Sequence, residues 1–184
     1  MGNMILNYRD NKKDSLFSLE NCLFTNGCFD IMHSGHIELF KFCYDKKGHR
    51  HVVVGMNSDK SIKELKGPNR PIMSEEDRAS VLLAIQWINY VVIFDTKSVF
   101  PLIEVLKPQV LVKGGNYSTK PCAVDDQIIG QEFVESYDGR VYTAPMVEGI
   151  STTEIIRRIL VPLWIYHYST PQQLAVAAFY HDKI

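Results

Sequence analysis

Cysteine is scarce and scattered. Cys22, Cys28, Cys43 and Cys122 make neither C-x-x-C pairs nor the density of a disulfide-stapled domain, so reduced thiols in a cytoplasmic protein are the expectation. No run of the sequence reaches the roughly 18 apolar residues of a membrane span. Neither sign of charge dominates: 20 Lys and Arg against 21 Asp and Glu leave a net charge of −1. That removes the bulk electrostatic signature of nucleic-acid or anionic-membrane binding, and any cations that matter must act locally. The stretch from Met1 to Asp10 is too polar for a secretory leader. Although it begins Met-Gly, Leu6 stands where a myristoylation signal needs Ser or Thr.

What is present is enough apolar sequence for one domain with a proper core: 46% hydrophobic residues in a chain of 184. The most informative stretch is Leu23 to His36, LFTNGCFDIMHSGH. It opens as the end of a buried strand, turns through Gly27, and reaches His33 and His36 where a helical pattern begins, with Ile37, Leu39, Phe40, Phe42 and Cys43 on an apolar-rich face. A strand, a glycine turn and a helix N-terminus together present unpaired N–H groups and a positive dipole end to an anion. The two histidines lie three apart on one side of that first turn, and Gly35 between them lets a ligand approach the backbone closely. We read the stretch as a phosphate site. A shared metal ion is the rival reading, but no cysteine or carboxylate set with zinc spacing accompanies the pair. A plain helix cap is the other, and it leaves Gly27, Phe29 and Asp30 unexplained.

The remaining elements follow in a βαβ order. Residues 1–20 predict a polar arm or short helix ahead of the domain, and a first strand spans 21–25. A helix over 35–44 precedes Gly48 as its C-terminal stop. A buried strand of continuous β-branched residues begins at His51, as parallel sheets covered on both faces require. It ends in Asn57-Ser58-Asp59, where Asp59 can meet a sugar hydroxyl or cap the next helix. Residues 63–71 read as a basic loop whose Lys66 and Arg70 can supply cations to phosphate or remain solvated. Ser74 and Asp77 predict the start of a second helix carrying Arg78, Val81, Leu82, Ile85 and Ile88. A strand at 90–94, a helix at 99–106 and a strand at 109–113 come next. The last runs into Lys113-Gly114-Gly115-Asn116-Tyr117, a ligand rim or a plain turn. After a final strand, Gly149-Ile150-Ser151-Thr152-Thr153 opens a helix with three successive hydroxyls, where a simple cap needs one, and Ile155, Ile156 and Ile159 are expected to face inward. Residues 161–184 form an extension in which Trp164, Tyr166 and Tyr168 are expected to pack on the domain or on a second subunit.

Gly-Cys-Phe-Asp followed by His-Ser-Gly-His resembles the cytidylyltransferase-like nucleotidyltransferases, and the resemblance covers roughly residues 21–160. It implies an α/β fold, a Rossmann-like doubly wound parallel sheet in a single domain. It also implies a reaction in which an acceptor phosphate attacks the α-phosphorus of a nucleoside triphosphate and pyrophosphate leaves, with Mg²⁺ accompanying the triphosphate and no metal ligand set of the protein's own. In that resemblance His33, His36, Lys66 and Lys113 are the catalytic groups. Asn26, Gly27, Cys28, Phe29, Gly35, Gly114, Ser151, Thr152 and Thr153 bind the nucleotide, while Asp59, Arg70, Arg78, Gly115, Asn116 and Tyr117 face the acceptor. Cys28 itself has no neighbour in sequence that marks it as a nucleophile, and unaided, Arg78 reads as a salt-bridging helix residue. The run Val112–Tyr117 is similar to the Val-Lys-Gly-Gly-Asp-Tyr of heptose 1-phosphate adenylyltransferases, with Asn116 in place of Asp. Glycerol 3-phosphate cytidylyltransferases have Arg-Thr where this chain has Met146-Val147, so a sugar 1-phosphate and ATP are the expected partners, and a homodimer the expected assembly. A CTP-dependent glycerol 3-phosphate enzyme and a non-catalytic nucleotide-binding module are the alternatives.

Overall fold

The structure, a computed structural model, describes residues 4–8, 19, 21–115 and 128–167, with 161–167 described by backbone alone. Among them, β1 (Met4–Tyr8), β2 (Leu23–Gly27), α1 (Ser34–Lys46), β3 (Val52–Asn57), α2 (Asp59–Lys66), α3 (Glu75–Leu83), β4 (Tyr90–Phe94), α4 (Phe100–Leu106), β5 (Val110–Gly114), α5 (Gln131–Glu135), β6 (Arg140–Ala144) and α6 (Thr152–His167) follow in chain order. The strands form one sheet in the order β1-β4-β3-β2-β5-β6, every pair parallel. The chain winds outward from β2 through β3 to β4, then returns to the other side of β2 for β5 and β6. The sheet therefore has its topological switch point between β2 and β5, where open parallel sheets leave a crevice beyond their carboxyl ends.

Alternate residues of the central strands feed two cores. Val52, Val54 and Met56 of β3 join Leu39, Phe40 and Cys43 of α1 and Ala79 and Leu82 of α3 on one face. Val53 joins Phe24, Val92, Phe94 and the α4 residues Leu102, Ile103 and Leu106 on the other. With both faces covered, the strands read as unbroken apolar runs. Gly55 is required where β3 passes Phe24: a Cβ there would sit 2.6 Å from Phe24 Cζ. No helix among the described residues is long and apolar enough to cross a membrane.

Several local expectations change. Where a polar arm or short helix was expected, Met4–Tyr8 is an edge strand paired along its whole length with β4. Only Leu6 and Tyr8 of it reach the core, and two inward residues give too short a period to read from sequence. Lys63 and Lys66 lie in the last turn of α2 rather than in a loop, and Gly67, at φ 91°, returns its N–H to the Lys63 carbonyl as a helix stop. Both lysines thus complement the helix dipole. The N-cap of α2 is Ser58, whose hydroxyl accepts from Ser61 N–H, not Asp59. The predicted cap Ser74 does accept from Asp77 N–H. α3 stops at Leu83, and Ile85 and Ile88 reach the core from the turn beyond it. Ile159 is 55% exposed instead of inward, while Ile156 is buried and Ile155 half-buried. α6 runs without a break through residue 161, while Tyr168 and the side chains of Trp164 and Tyr166 lie outside the described residues, as do Asn116 and Tyr117.

Candidate active site

The site forms at the switch point. Asn26 and Gly27 end β2 and Lys113 and Gly114 end β5, and the Lys113 ammonium donates to Asn26 Oδ1 at 2.9 Å across the two strands. This bond fixes a cation at the base of the crevice. Burial lowers the Lys113 pKa below its usual value, with the nearby Cys28 acting weakly the other way. Nearby, Cys28 Sγ lies 4.0 Å from Asn57 Oδ1 and its carbonyl accepts from Arg78, so the residue serves to seat the loop.

From Gly27 the chain crosses Phe29, Asp30 and Ile31 and enters α1 at His33, the extended residue that precedes the helix. His33 and His36 stack with ring centroids 3.8 Å apart and an interplanar angle of 25°. Phe29, 3% exposed, braces the pair with its ring 5.3 Å from that of His36 and roughly edge-on. The Nδ1 atoms of both histidines are buried without a hydrogen-bond partner. Burial lowers both pKa values. His36 falls to about 4, helped by the neighbouring His33 and the Lys66 ammonium. At neutral pH both rings are therefore uncharged, each with one N–H to give and one lone pair unused. The Ser34 and Gly35 amides precede the first bond of α1, from His36 N–H to the His33 carbonyl at 2.9 Å, so ring N–H groups and these two amides form one cluster of donors. Gly35 keeps the cluster open: a Cβ there would lie 3.1 Å from both Cε1 and Nδ1 of His33.

A cleft of about 220 Å³ lies over these groups. Asn26, Gly27, Phe29, His33, Gly35, His36, Gly114 and Gly115, all expected site residues, line it together with Leu39, Ile150 and the segment Pro145–Val147. The last segment carries no charge, so the wall where Met146 and Val147 replace Arg-Thr is apolar. The three hydroxyls at the start of α6 divide their work. Ser151 accepts from Glu154 N–H as the cap, Thr152 donates to the Asp30 carbonyl at 2.7 Å, and Thr153 is exposed.

Three residues expected against the acceptor are instead engaged within the protein. Arg78, fully buried, donates to the carbonyls of Met73, Cys28 and Asn57 and pairs with the Asp59 carboxylate at 2.7 Å. A buried guanidinium demands this many acceptors, and only the folded loops supply them. Arg70 pairs with Asp30 at 2.7 Å. Asp30, part of the motif in the sequence, carries no role of its own there. Its carboxylate is 1% exposed and accepts from Ile72 N–H, Met73 N–H and Arg70. An aspartate directly after a Gly-x-Phe turn was the available signal, since loop carboxylates in such turns commonly collect backbone N–H groups.

Comparison with known proteins agrees with this layout. The description "Cytidylyltransferase-like" matches residues 24–158. Proteins named bifunctional protein HldE are 47% identical over 141 residues in Syntrophotalea carbinolica and 48% identical over 139 residues in Geobacter metallireducens. Each alignment covers 75% of this chain and 26% of the relative, so the chain spans about a quarter of the length of these relatives. Among solved structures, the lipopolysaccharide core biosynthesis protein of Thermoplasma volcanium superposes with TM-score 0.53 at 17% identity, over 68% of this chain and 97% of that one. The macrolide-efflux protein of Streptococcus pneumoniae does so with TM-score 0.61 at 20% identity, over 86% and 58%. At these identities the likeness is one of fold alone.

Proposed function

The chain belongs to the cytidylyltransferase-like family, and from that premise we propose that it is a nucleotidyltransferase that joins a nucleoside monophosphate from ATP to a sugar 1-phosphate, with heptose 1-phosphate as the acceptor. The observation that carries this reading is the convergence on one cleft of the stacked His33–His36 pair, the start of α1 and Asn26, whose side chain holds the Lys113 ammonium behind the cleft wall.

An oxygen of the acceptor phosphate attacks the α-phosphorus, the bond from that phosphorus to the bridging oxygen of the β-phosphate breaks, and pyrophosphate leaves with the electron pair. The acceptor is already ionised at neutral pH, so the protein need not remove a proton. Its task is to hold the partners in line and cover the charge that spreads over the phosphate oxygens. The imidazole N–H groups donate to those oxygens, Lys113 and Lys66 add positive charge, and Thr153 with the α6 N-terminus receives the departing pyrophosphate. Mg²⁺ enters as part of the substrate, on the triphosphate. We assign it no protein carboxylate, because Asp30 and Asp59 are already committed to arginines. ATP over CTP, and heptose over glycerol, rest on the resemblance of Val112–Tyr117 and on the uncharged Met146-Val147 wall. A cytoplasmic homodimer completes the proposal.

The test is pyrophosphate release with Mg²⁺, offering ATP or CTP against heptose 1-phosphate or glycerol 3-phosphate. Turnover with ATP and the heptose is expected, and His36→Ala should lower it by about two to three orders of magnitude. Turnover with CTP and glycerol 3-phosphate would overturn the assigned pair. Triphosphate binding without release in any mixture would make the protein a binding module.

A further inference from the structure

The segment that delivers His33 to the cleft is held in a conformation its own residues disfavour. Phe29 and Ile31 both have positive φ, 50° and 55°. For a β-branched residue such as Ile31 this is a genuine outlier, because the side chain crowds the following carbonyl. Strain of this kind persists only where the surroundings over-determine it. Here Asp30, the residue between the two, supplies that constraint. Its carboxylate binds Ile72 N–H, Met73 N–H and Arg70, while its carbonyl receives the Thr152 hydroxyl. Four bonds thus tie one residue to the segment after α2 and to the start of α6. These are the two segments next to Lys66 and Thr153.

We propose that Asp30 is a positioning residue: its buried carboxylate holds the strained Phe29–Ile31 turn closed, and that closed turn sets the His33–His36 pair against the transferring phosphate. Asp30 touches no substrate. It acts through the histidines, so its loss should weaken stabilisation of the transition state more than binding of the triphosphate. The proposal rests on the nucleotidyltransferase reading for its kinetic arm only.

Asp30→Asn keeps the size but loses the charge, and it turns an amide donor toward the Ile72 and Met73 N–H groups or toward Arg70. If strain is what the carboxylate opposes, removing the strain should replace it. Ile31→Gly does so, because glycine adopts φ near 55° without steric strain. At a temperature where circular dichroism shows every variant folded, D30N is expected to lower kcat about 30-fold with the ATP KM within about threefold. D30N/I31G should recover about tenfold of that loss, and Ile31→Gly alone should change kcat by less than about threefold. An unchanged kcat in D30N, or a loss that I31G does not relieve, overturns the proposal. If the native protein releases no pyrophosphate, the functional reading falls and the histidine signals decide the positioning claim alone. The imidazole resonances of the stacked pair should shift in D30N and return in D30N/I31G, and unshifted signals in D30N would overturn it.

Discussion

Gly35→Ala separates the demands of the fold from those of the site. The fold should welcome the change: residue 35 lies in the first turn of α1, where alanine is favoured over glycine by up to about 0.5–1 kcal/mol. For a domain of this size that corresponds to a rise in Tm of roughly 1–4 °C. The site should not. The new Cβ meets Cε1 and Nδ1 of His33 at 3.1 Å, with Ile150 Cγ2 behind it at 3.8 Å. Ordinary contact begins near 3.5 Å, so the imidazole must retreat by a few tenths of an ångström. Such a retreat disturbs its stack on His36, 3.8 Å away. The methyl also occupies the surface across which a phosphate would reach the α1 amides. Displacing a donor of this kind costs about tenfold to a hundredfold in rate. The assay pairs a thermal melt with pyrophosphate release. The expected result is a protein as stable as the native one or more so, with kcat/KM down by at least tenfold. A variant that keeps full activity would refute the claim that His33 and the open backbone at residue 35 form the phosphate cradle. One that loses activity only in proportion to a fall in Tm would refute the claim that the glycine serves the site rather than the fold.

Two further outcomes test the electrostatics and the packing. The His36 pKa is lowered to about 4 in the folded protein, against an ordinary value near 6.5. Between those values the unfolded chain binds more protons, so stability contributed by the neutral ring is present above about pH 6.5 and lost as pH falls toward 4. The full displacement corresponds to about 3 kcal/mol at most. Urea midpoints measured from pH 7.5 to 4.5 should fall less steeply in His36→Gln than in the native protein, and parallel profiles would show that the ring is not desolvated. Gly55→Ala would force a methyl to within 2.6 Å of Phe24 Cζ in the second core, an overpacking that costs about 1–3 kcal/mol. A urea midpoint unchanged from the native value would show that Phe24 has room to move.

The sequence by itself determined the fold class and pointed to residues that the fold gathers around one cleft. The β-branched runs at 52–54 and 91–93 required a sheet covered on both faces, and strand, glycine and His-x-Gly-His put both histidines at the helix start that follows a strand. These are local statements, carried by period and by the backbone freedom of single residues, and they survive folding because packing reinforces them. Tertiary structure alone decided the fate of the charges. Asp30, Asp59, Arg70 and Arg78 could each have faced a ligand, and which of them do depends on loops distant in sequence arriving together. Arg78 finds Cys28, Asn57 and Asp59, and Asp30 finds Arg70, Ile72 and Met73. A buried charge must collect partners from wherever the chain brings them, and no spacing along the chain encodes that meeting. The edge strand Met4–Tyr8 was hidden for the same reason, since β4, more than 80 residues later, supplies its hydrogen bonds.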